Sequence, residues 1–183
     1  LSRGEEYHKD AIGLNSGRNS FELLLMNSKC NKIYIPYYTC EVVLEPIKRL
    51  NISYEFYKID TKFEPVFEYS SLQNEDLFLY TNYFGLKDEF IFGLAKKGIN
   101  LVIDNAQSFY SKPIKNVPTF YSPRKFFGVP DGGYLYADFK SEVSLMKSDS
   151  LGNYEHLISR IEFGANNGYN CFLESEKHIS RQK

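Results

Sequence analysis

Two residues in this chain have the types and the order needed for chemistry on a bound ring: Asp104 and Lys125. Asp104 ends the apolar run LVID, and a buried parallel strand of an α/β sheet brings such a terminal carboxylate to the edge where ligands bind. Lys125 lies in a later loop, YSPRKFFGVPDGG. A carboxylate that keeps a pyridine nitrogen protonated and an amine that holds an aldehyde as a Schiff base serve pyridoxal phosphate (PLP). The pair therefore predicts a PLP site.

Each of these residues also has an ordinary structural interpretation. Asp104 alone is more simply explained as a solvated aspartate at a strand end or as a capping aspartate. Lys125 could be a surface charge, as most lysines are. Its neighbours argue otherwise, because Pro123 restricts the backbone and Phe126-Phe127 places apolar bulk beside the amine. We expect these neighbours to desolvate the amine and make it more nucleophilic.

A turn into a helix near the start of the chain could bind a phosphate. Ser16-Gly17 and Arg18 precede a helical stretch over 19–26 that begins with Asn19. Free backbone N–H groups at a helix N-terminus, together with the helix dipole, suit an anion. An ordinary helix cap explains the same residues, and the residues alone favour that interpretation.

The order of apolar and helical stretches predicts the fold class. Strands are expected at 32–36, 53–60, 76–82, 101–104, 119–122 and 134–139. Helices are expected at 19–26, 41–50, 89–97, 154–162 and 171–178, with the connection FGANNGYN before the last. Pro46 should kink the second helix or delay its start. This order indicates an α/β domain with a largely parallel sheet.

Composition and charge narrow the class of protein. With 183 residues, 43% hydrophobic and 25% charged, the chain suits one soluble globular domain. A net charge of −1 and short apolar runs give no indication of nucleic acid or membrane binding. The residues that could bind a metal are scattered: Cys30, Cys40, Cys171, His8, His156 and His178. No metal site is predicted, and the odd, widely spaced cysteines favour reduced thiols in a cytosol.

The segments SGRNS, IPYYTCEVV, LVIDNAQS and SPRKFFGVPDGG, in this order, resemble the DegT/StrS family of sugar aminotransferases, which are fold-type-I PLP enzymes. The resemblance runs from about Gly13 to the C-terminus. It implies a three-layer PLP-transferase-like large domain with a mainly parallel sheet over residues 1–183. Residues 1–12 would form an N-terminal arm and 150–183 a helical C-terminal segment. Because the chain starts at Leu1 and stops at SRQK, we expect a fragment or truncated product without the family's small C-terminal domain.

The resemblance also implies a role for individual residues. Asp104 would pair with the pyridine nitrogen, Gln107 would contact the hydroxyl side of the ring, and Lys125 would form the internal aldimine. The GYN motif would bring Asn170 to the cofactor of a neighbouring subunit. The phosphate would be held by the residues of the helix-entry turn and by a hydroxyl near the lysine: Ser16, Gly17, Arg18, Asn19 and Ser122.

Two positions depart from the family pattern. Where the family carries an aromatic residue that stacks on the ring, this chain has Cys40, with Tyr38 as a substitute. Where it carries a phosphate-binding serine five residues before the lysine, this chain has Phe120, and Ser122 is the nearest hydroxyl.

The function implied by the resemblance is transfer of an amino group from glutamate to a keto nucleotide-sugar, in polysaccharide biosynthesis. The enzyme would be a cytoplasmic homodimer with small-molecule substrates. The departures favour an alternative, a catalytically impaired or truncated homologue that acts as a binding or regulatory protein. A family dehydratase would carry histidine in place of Lys125. An α/β domain with another task also stays open.

Overall fold

Strands and helices alternate along most of the computed structural model, which describes residues 5–139, 145–147 and 151–179. The strands are β1 (Ile12–Leu14), β2 (Lys32–Pro36), β3 (Ser53–Ile59), β4 (Pro65–Val66), β5 (Asp76–Thr81), β6 (Leu101–Asp104), β7 (Thr119–Tyr121) and β8 (Gly133–Tyr136). The helices are α1 (Gly17–Met26), α2 (Leu44–Arg49), α3 (Asp88–Ala95), α4 (Glu155–Phe163) and α5 (Ala165–Ile179).

Within the described ranges the strands form one sheet in the order β1-β8-β7-β6-β5-β2-β3-β4. The central run β3-β2-β5-β6-β7 is parallel, whereas β8, β1 and β4 pair antiparallel with their neighbours. Because β8 runs against β7 and β1 runs against β8, β1 has the direction of β7. The carboxyl ends of β1, β6 and β7 therefore lie on the same edge of the sheet. The predicted α/β class with a mainly parallel sheet is confirmed.

Each face of the sheet carries its own hydrophobic core, because successive side chains of a strand point to opposite faces. In β2, Ile33 and Ile35 belong to a largely aliphatic cluster that includes side chains of α1 and α2. Tyr34, between them, belongs to a tyrosine-rich cluster that α3 completes with Ile91 and Leu94. Helices thus cover both faces, which gives three layers.

Several element boundaries differ from the predicted ones. A 3-10 turn, Glu41–Val43, precedes α2, so the helix begins late. Pro46 lies in its first turn, where a missing N–H removes no intrahelical bond. The short strands β1 and β4 were not predicted, because three and two residues are too few for a clear alternation.

The C-terminal helices form a hairpin around Gly164, whose φ of 88° allows the abrupt change of direction. The predicted connection at 163–170 is wrong, because α5 begins at Ala165 and contains the GYN motif. Gly168 permits this arrangement, since a Cβ there would lie 2.6 Å from the Cβ of Arg160 on α4. None of the helices in the described part of the chain has the length and apolar character that crossing a bilayer requires.

Candidate functional site

A cavity of about 520 Å³ lies at the edge of the sheet where β6 and β7 end. One wall consists of the first turn of α1, the ends of these strands and the loops that follow; we call it the sheet wall. The other consists of side chains of α4 and α5, and we call it the hairpin wall. Six of the predicted site residues line the cavity together: Ser16, Gly17, Arg18, Asp104, Ser122 and Lys125.

The other four predicted site residues, Asn19, Tyr38, Gln107 and Asn170, do not line this cavity. The backbone N–H of Asn19 donates to Ser16 Oγ at 3.1 Å. The ring of Tyr38 stacks on Tyr83, with 5.8 Å between ring centroids. Asn170 is exposed, because the GYN motif is helical and its successive side chains point in different directions.

Asp104 is held between two neighbouring strands. Its Cα pairs with Thr81 of β5 on one side and with Phe120 of β7 on the other. The carboxylate is buried, and Oδ1 accepts a hydrogen bond of 2.8 Å from the backbone N–H of Ala106. Burial raises the pKa of Asp104, while this hydrogen bond and the charge of Lys125 oppose the rise. A cation bound in the cavity would stabilise the ionised carboxylate.

Lys125 ends a 3-10 turn, Pro123–Lys125, that follows β7 directly. Since β7 is the parallel neighbour of β6, the lysine reaches the edge that carries Asp104. The expectation of a desolvated amine is wrong, because Lys125 is exposed. The rings of Phe126 and Phe127 contact Phe109 instead, with centroid distances of 5.9 and 4.9 Å.

Ser16 is the N-cap of α1. Its backbone is extended, it is buried, and its Oγ accepts the hydrogen bond from Asn19. The helix-cap interpretation is therefore confirmed, and anion binding at this turn stays a prediction. Gly17 brings the turn close to the loop after β7, since a Cβ there would lie 3.3 Å from both Ser122 Cβ and Tyr121 O.

The start of β8 fixes the position of this helix entrance. Gly132 N–H donates to Asn15 O at 2.7 Å. A Cβ on Gly133 would lie only 2.2 Å from Ser16 O, so no larger residue fits without moving α1. The Gly-Gly pair, which the sequence indicates only as the end of the lysine loop, thus positions the first turn of α1.

Two arginines with mostly buried side chains also line the cavity. Arg18 contacts Glu45 at 2.7 Å and Glu176 of α5 at 3.5 Å. Arg124 contacts Glu176 at 2.6 Å and lies over the ring of Phe172, 5.4 Å from its centroid. Sequence reasoning missed both glutamates, because Glu176 is 158 positions from Arg18 and no local pattern connects them.

His156 of α4 is a further cavity residue that sequence reasoning missed. It is buried, and burial, followed by the charge of Arg124, lowers its pKa. The described ranges contain no group of three or more His, Cys, Asp or Glu side chains arranged to hold a metal ion.

Comparison with known proteins identifies the fold. No family model and no curated protein matches this chain. Among solved structures, NtdA from Bacillus subtilis with bound PMP matches with a TM-score of 0.58 and 12% identity, over 71% of this chain and 33% of that one. DesV from S. venezuelae, in complex with a ketimine intermediate, matches with a TM-score of 0.55 and 13% identity, over 93% and 52%.

A protein from Streptococcus pneumoniae described as a sugar aminotransferase, Spr1654, matches in its apo form with a TM-score of 0.52 and 14% identity. The alignment covers 81% of this chain and 44% of Spr1654. The fold is that of the PLP-dependent transferases. Identities this low show the fold alone, and the chain spans between one third and about one half of the three structures. Membership of the DegT/StrS family stays a prediction.

Proposed function

We propose that this chain is the PLP-binding part of an aminotransferase. The observation that carries the proposal is the shared cavity of Asp104, the last residue of β6, and Lys125, which lies in the turn after the neighbouring parallel strand β7. The entrance of α1 lies on the same edge of the sheet. An acid, an amine and a helix N-terminus that could bind a phosphate, all on one cavity wall, are the groups that this cofactor requires.

The residues present fit the cofactor. Burial disfavours the charged form of Asp104, and the protonated nitrogen of a pyridine ring would supply the positive charge that stabilises the carboxylate. Asp104 in turn would hold the proton on that nitrogen. When bound, PLP supplies an electron-withdrawing ring that stabilises negative charge on the carbon next to the amino nitrogen of the substrate.

Lys125 would bind the aldehyde carbon through Nζ and later move a proton on the substrate. Lys125 is exposed, so this role requires that a ligand in the cavity shields its amine from water. The N–H groups of Gly17 and Arg18 in the first turn of α1 and the hydroxyl of Ser122 would hold the phosphate, whereas the N–H of Asn19 donates to Ser16 Oγ.

The proposal also includes the two substrates of the amino transfer. Glutamate would be the amino donor and a keto nucleotide-sugar the acceptor, which agrees with a fold neighbour described as a sugar aminotransferase. The working form would be a cytoplasmic homodimer, with Gln107 beside the ring and Asn170 directed to the partner subunit's cofactor.

Titration with PLP tests the proposal. We expect a visible absorption band from the bound cofactor, and reduction with borohydride should fix a phosphopyridoxyl group on the peptide that contains Lys125. Lys125→Ala should abolish both signals. Lys112→Ala, which removes another exposed lysine outside the cavity, should change neither. Absence of the band in the wild-type chain, or labelling that persists in Lys125→Ala, contradicts the proposal.

The second candidate is a homologue that binds PLP without transferring amino groups. Cys40 lines the cavity where the family carries a stacking aromatic residue, and Tyr38 packs on Tyr83 instead of replacing it. Phe120 is buried against Phe21 of α1 and offers no hydroxyl. Addition of glutamate separates the two candidates, because an aminotransferase converts the visible band and a binding protein leaves it unchanged.

A further inference from the structure

Glu176 of α5 lies between two arginines that reach it from different elements. Arg18 comes from the first turn of α1 and Arg124 from the turn after β7, and their N–O distances to Glu176 are 3.5 and 2.6 Å. The arginine side chains are only 10% and 15% exposed, and that of Glu176 is 26% exposed. One carboxylate of the hairpin thus contacts two cations of the sheet wall, and Arg18 has a second, closer partner in Glu45 at 2.7 Å.

A carboxylate is an incomplete partner for this pair. Glu176 Oε1 is buried, and Arg124 approaches it at ion-pair distance without the alignment of a hydrogen bond. Two buried guanidinium groups repel each other unless an anion lies between them. A phosphate group carries more charge and has three oxygens for the planar donors of arginine, so it suits the position better.

The contacts of α5 with the sheet wall are ion pairs and a cation–π contact, which a bound ligand can replace. Phe172 and Glu176 are one helical turn apart, and both contact Arg124. The two hairpin helices otherwise pack chiefly against each other. Several apolar side chains of the hairpin remain exposed, among them Ile158, Ile161 and Phe163.

We propose that Arg18 and Arg124 complete the phosphate site formed by the first turn of α1 and Ser122, and that Glu176 occupies the arginine side of this site in the ligand-free chain. Binding of the phosphate displaces the carboxylate and releases α5 from the sheet wall. The identity of the ligand as PLP rests on the proposed function. The competition between Glu176 and a phosphate does not, because inorganic phosphate alone can reveal it.

The test compares Glu176→Gln with Glu174→Gln, an equal change of charge on the same helix at an exposed glutamate outside this cavity. Equilibrium titrations use PLP, pyridoxal without phosphate, and inorganic phosphate. We expect Glu176→Gln to bind PLP and inorganic phosphate about tenfold more tightly, the effect of one charge-assisted contact. Its affinity for pyridoxal should stay that of the wild type, and Glu174→Gln should match the wild type with all three probes.

Each other outcome overturns the proposal. Equal affinity gains in the two variants would indicate a general charge effect, and an equal gain for PLP and pyridoxal would place Glu176 beside the ring. Unchanged or weaker phosphate binding by a folded Glu176→Gln chain would show that the ion pairs of Glu176 with Arg18 and Arg124 only stabilise the structure. If PLP binds to no variant, the proposed function fails, and the titration with inorganic phosphate alone decides the competition.

Discussion

The two walls of the cavity are built in different ways. On the sheet wall, Asp104 is fixed by strand pairing on both sides, and its partner on β7, Phe120, packs on Phe21 of α1. On the hairpin wall, Tyr169 is 59% exposed, and the contacts with the arginines run through Phe172 and Glu176. Apolar burial therefore maintains one wall, while charges and one cation–π contact maintain the other.

This difference indicates where the molecule can respond to a ligand. Burial of apolar surface resists salt and pH, so the carboxylate that would face the ring keeps its position whether or not a ligand is bound. Ion pairs near the surface weaken with salt and exchange with other anions. The hairpin wall is thus the side on which ligand binding should change the structure.

Truncation of one apolar side chain in the sheet and one in the hairpin should give the largest difference in the free energy of unfolding. Leu79 is fully buried in the sheet, and Leu79→Ala should lower the free energy of unfolding by about 2–5 kcal/mol, because it removes buried methyl groups and leaves a cavity. Ile161 of α4 is 81% exposed, and Ile161→Ala should change the free energy of unfolding by less than about 0.5 kcal/mol. Urea unfolding measures both. Similar losses in the two variants would mean that the hairpin buries this face against something else.

Two glycines of the sheet test how rigidly the sheet wall holds the entrance of α1. Gly133→Ala should cost about 1–3 kcal/mol in unfolding free energy and weaken PLP binding, because the new Cβ would overlap Ser16 O. Gly13 lies in β1, and a Cβ added there would meet no atom within 4 Å, so Gly13→Ala is the matched control and should be nearly neutral. Equal stability of both variants, measured by thermal unfolding, would show that α1 shifts without cost.

The smallest expected effect is a pH dependence from His8, which connects the segment before β1 to the sheet. Its Nε2 donates to Phe109 O at 2.8 Å, and its Nδ1 accepts from the hydroxyl of Tyr136 at 3.1 Å. Burial lowers its pKa, against weaker opposing effects of this Phe109 bond and of Glu6. The unfolded chain therefore binds more protons than the folded chain below about pH 6.5, and stability falls as the pH falls through that value.

Unfolding measured at several pH values between about 5 and 8 checks this slope, since His is the side chain that titrates there. His8→Gln should flatten it. His156→Gln, on the hairpin wall, should reduce the same slope of stability against pH independently, because burial also lowers the pKa of His156. A slope that neither variant changes would assign the pH dependence to other groups.

The part of the site that could be predicted from sequence is the part that local patterns encode. An apolar run that ends in Asp104 indicates a strand end, and a parallel order of strands places Lys125 on the next loop along the same edge. The helix cap at Ser16 is equally local. The strand end and the helix cap each follow from a few consecutive residues, and the parallel order follows from the succession of strands and helices along the chain.

The parts that could not be predicted depend on contacts between distant segments. Lys125 is exposed, while the rings of Phe126 and Phe127 pack on Phe109, a contact that their sequence neighbourhood does not reveal. Glycine and asparagine residues before Asn170 suggested a loop, but close packing against Arg160 makes helix the better state for Gly168. In both places, tertiary contacts and not local sequence preference determine the structure.

The tyrosine-rich face of the sheet has a consequence of its own. Hydroxyl groups of this face donate to backbone carbonyls of other segments: Tyr57 to Leu79, Tyr80 to Phe63 and Tyr83 to Tyr38. Burial raises the pKa of all three phenols, whereas Tyr37 is 75% exposed. Because the chain has no tryptophan, its ultraviolet absorbance comes mainly from tyrosine. An alkaline titration followed by absorbance therefore measures the ionisation of its phenols. The three buried phenols should ionise only when alkali opens the sheet, so the absorbance of their phenolate form reports that opening.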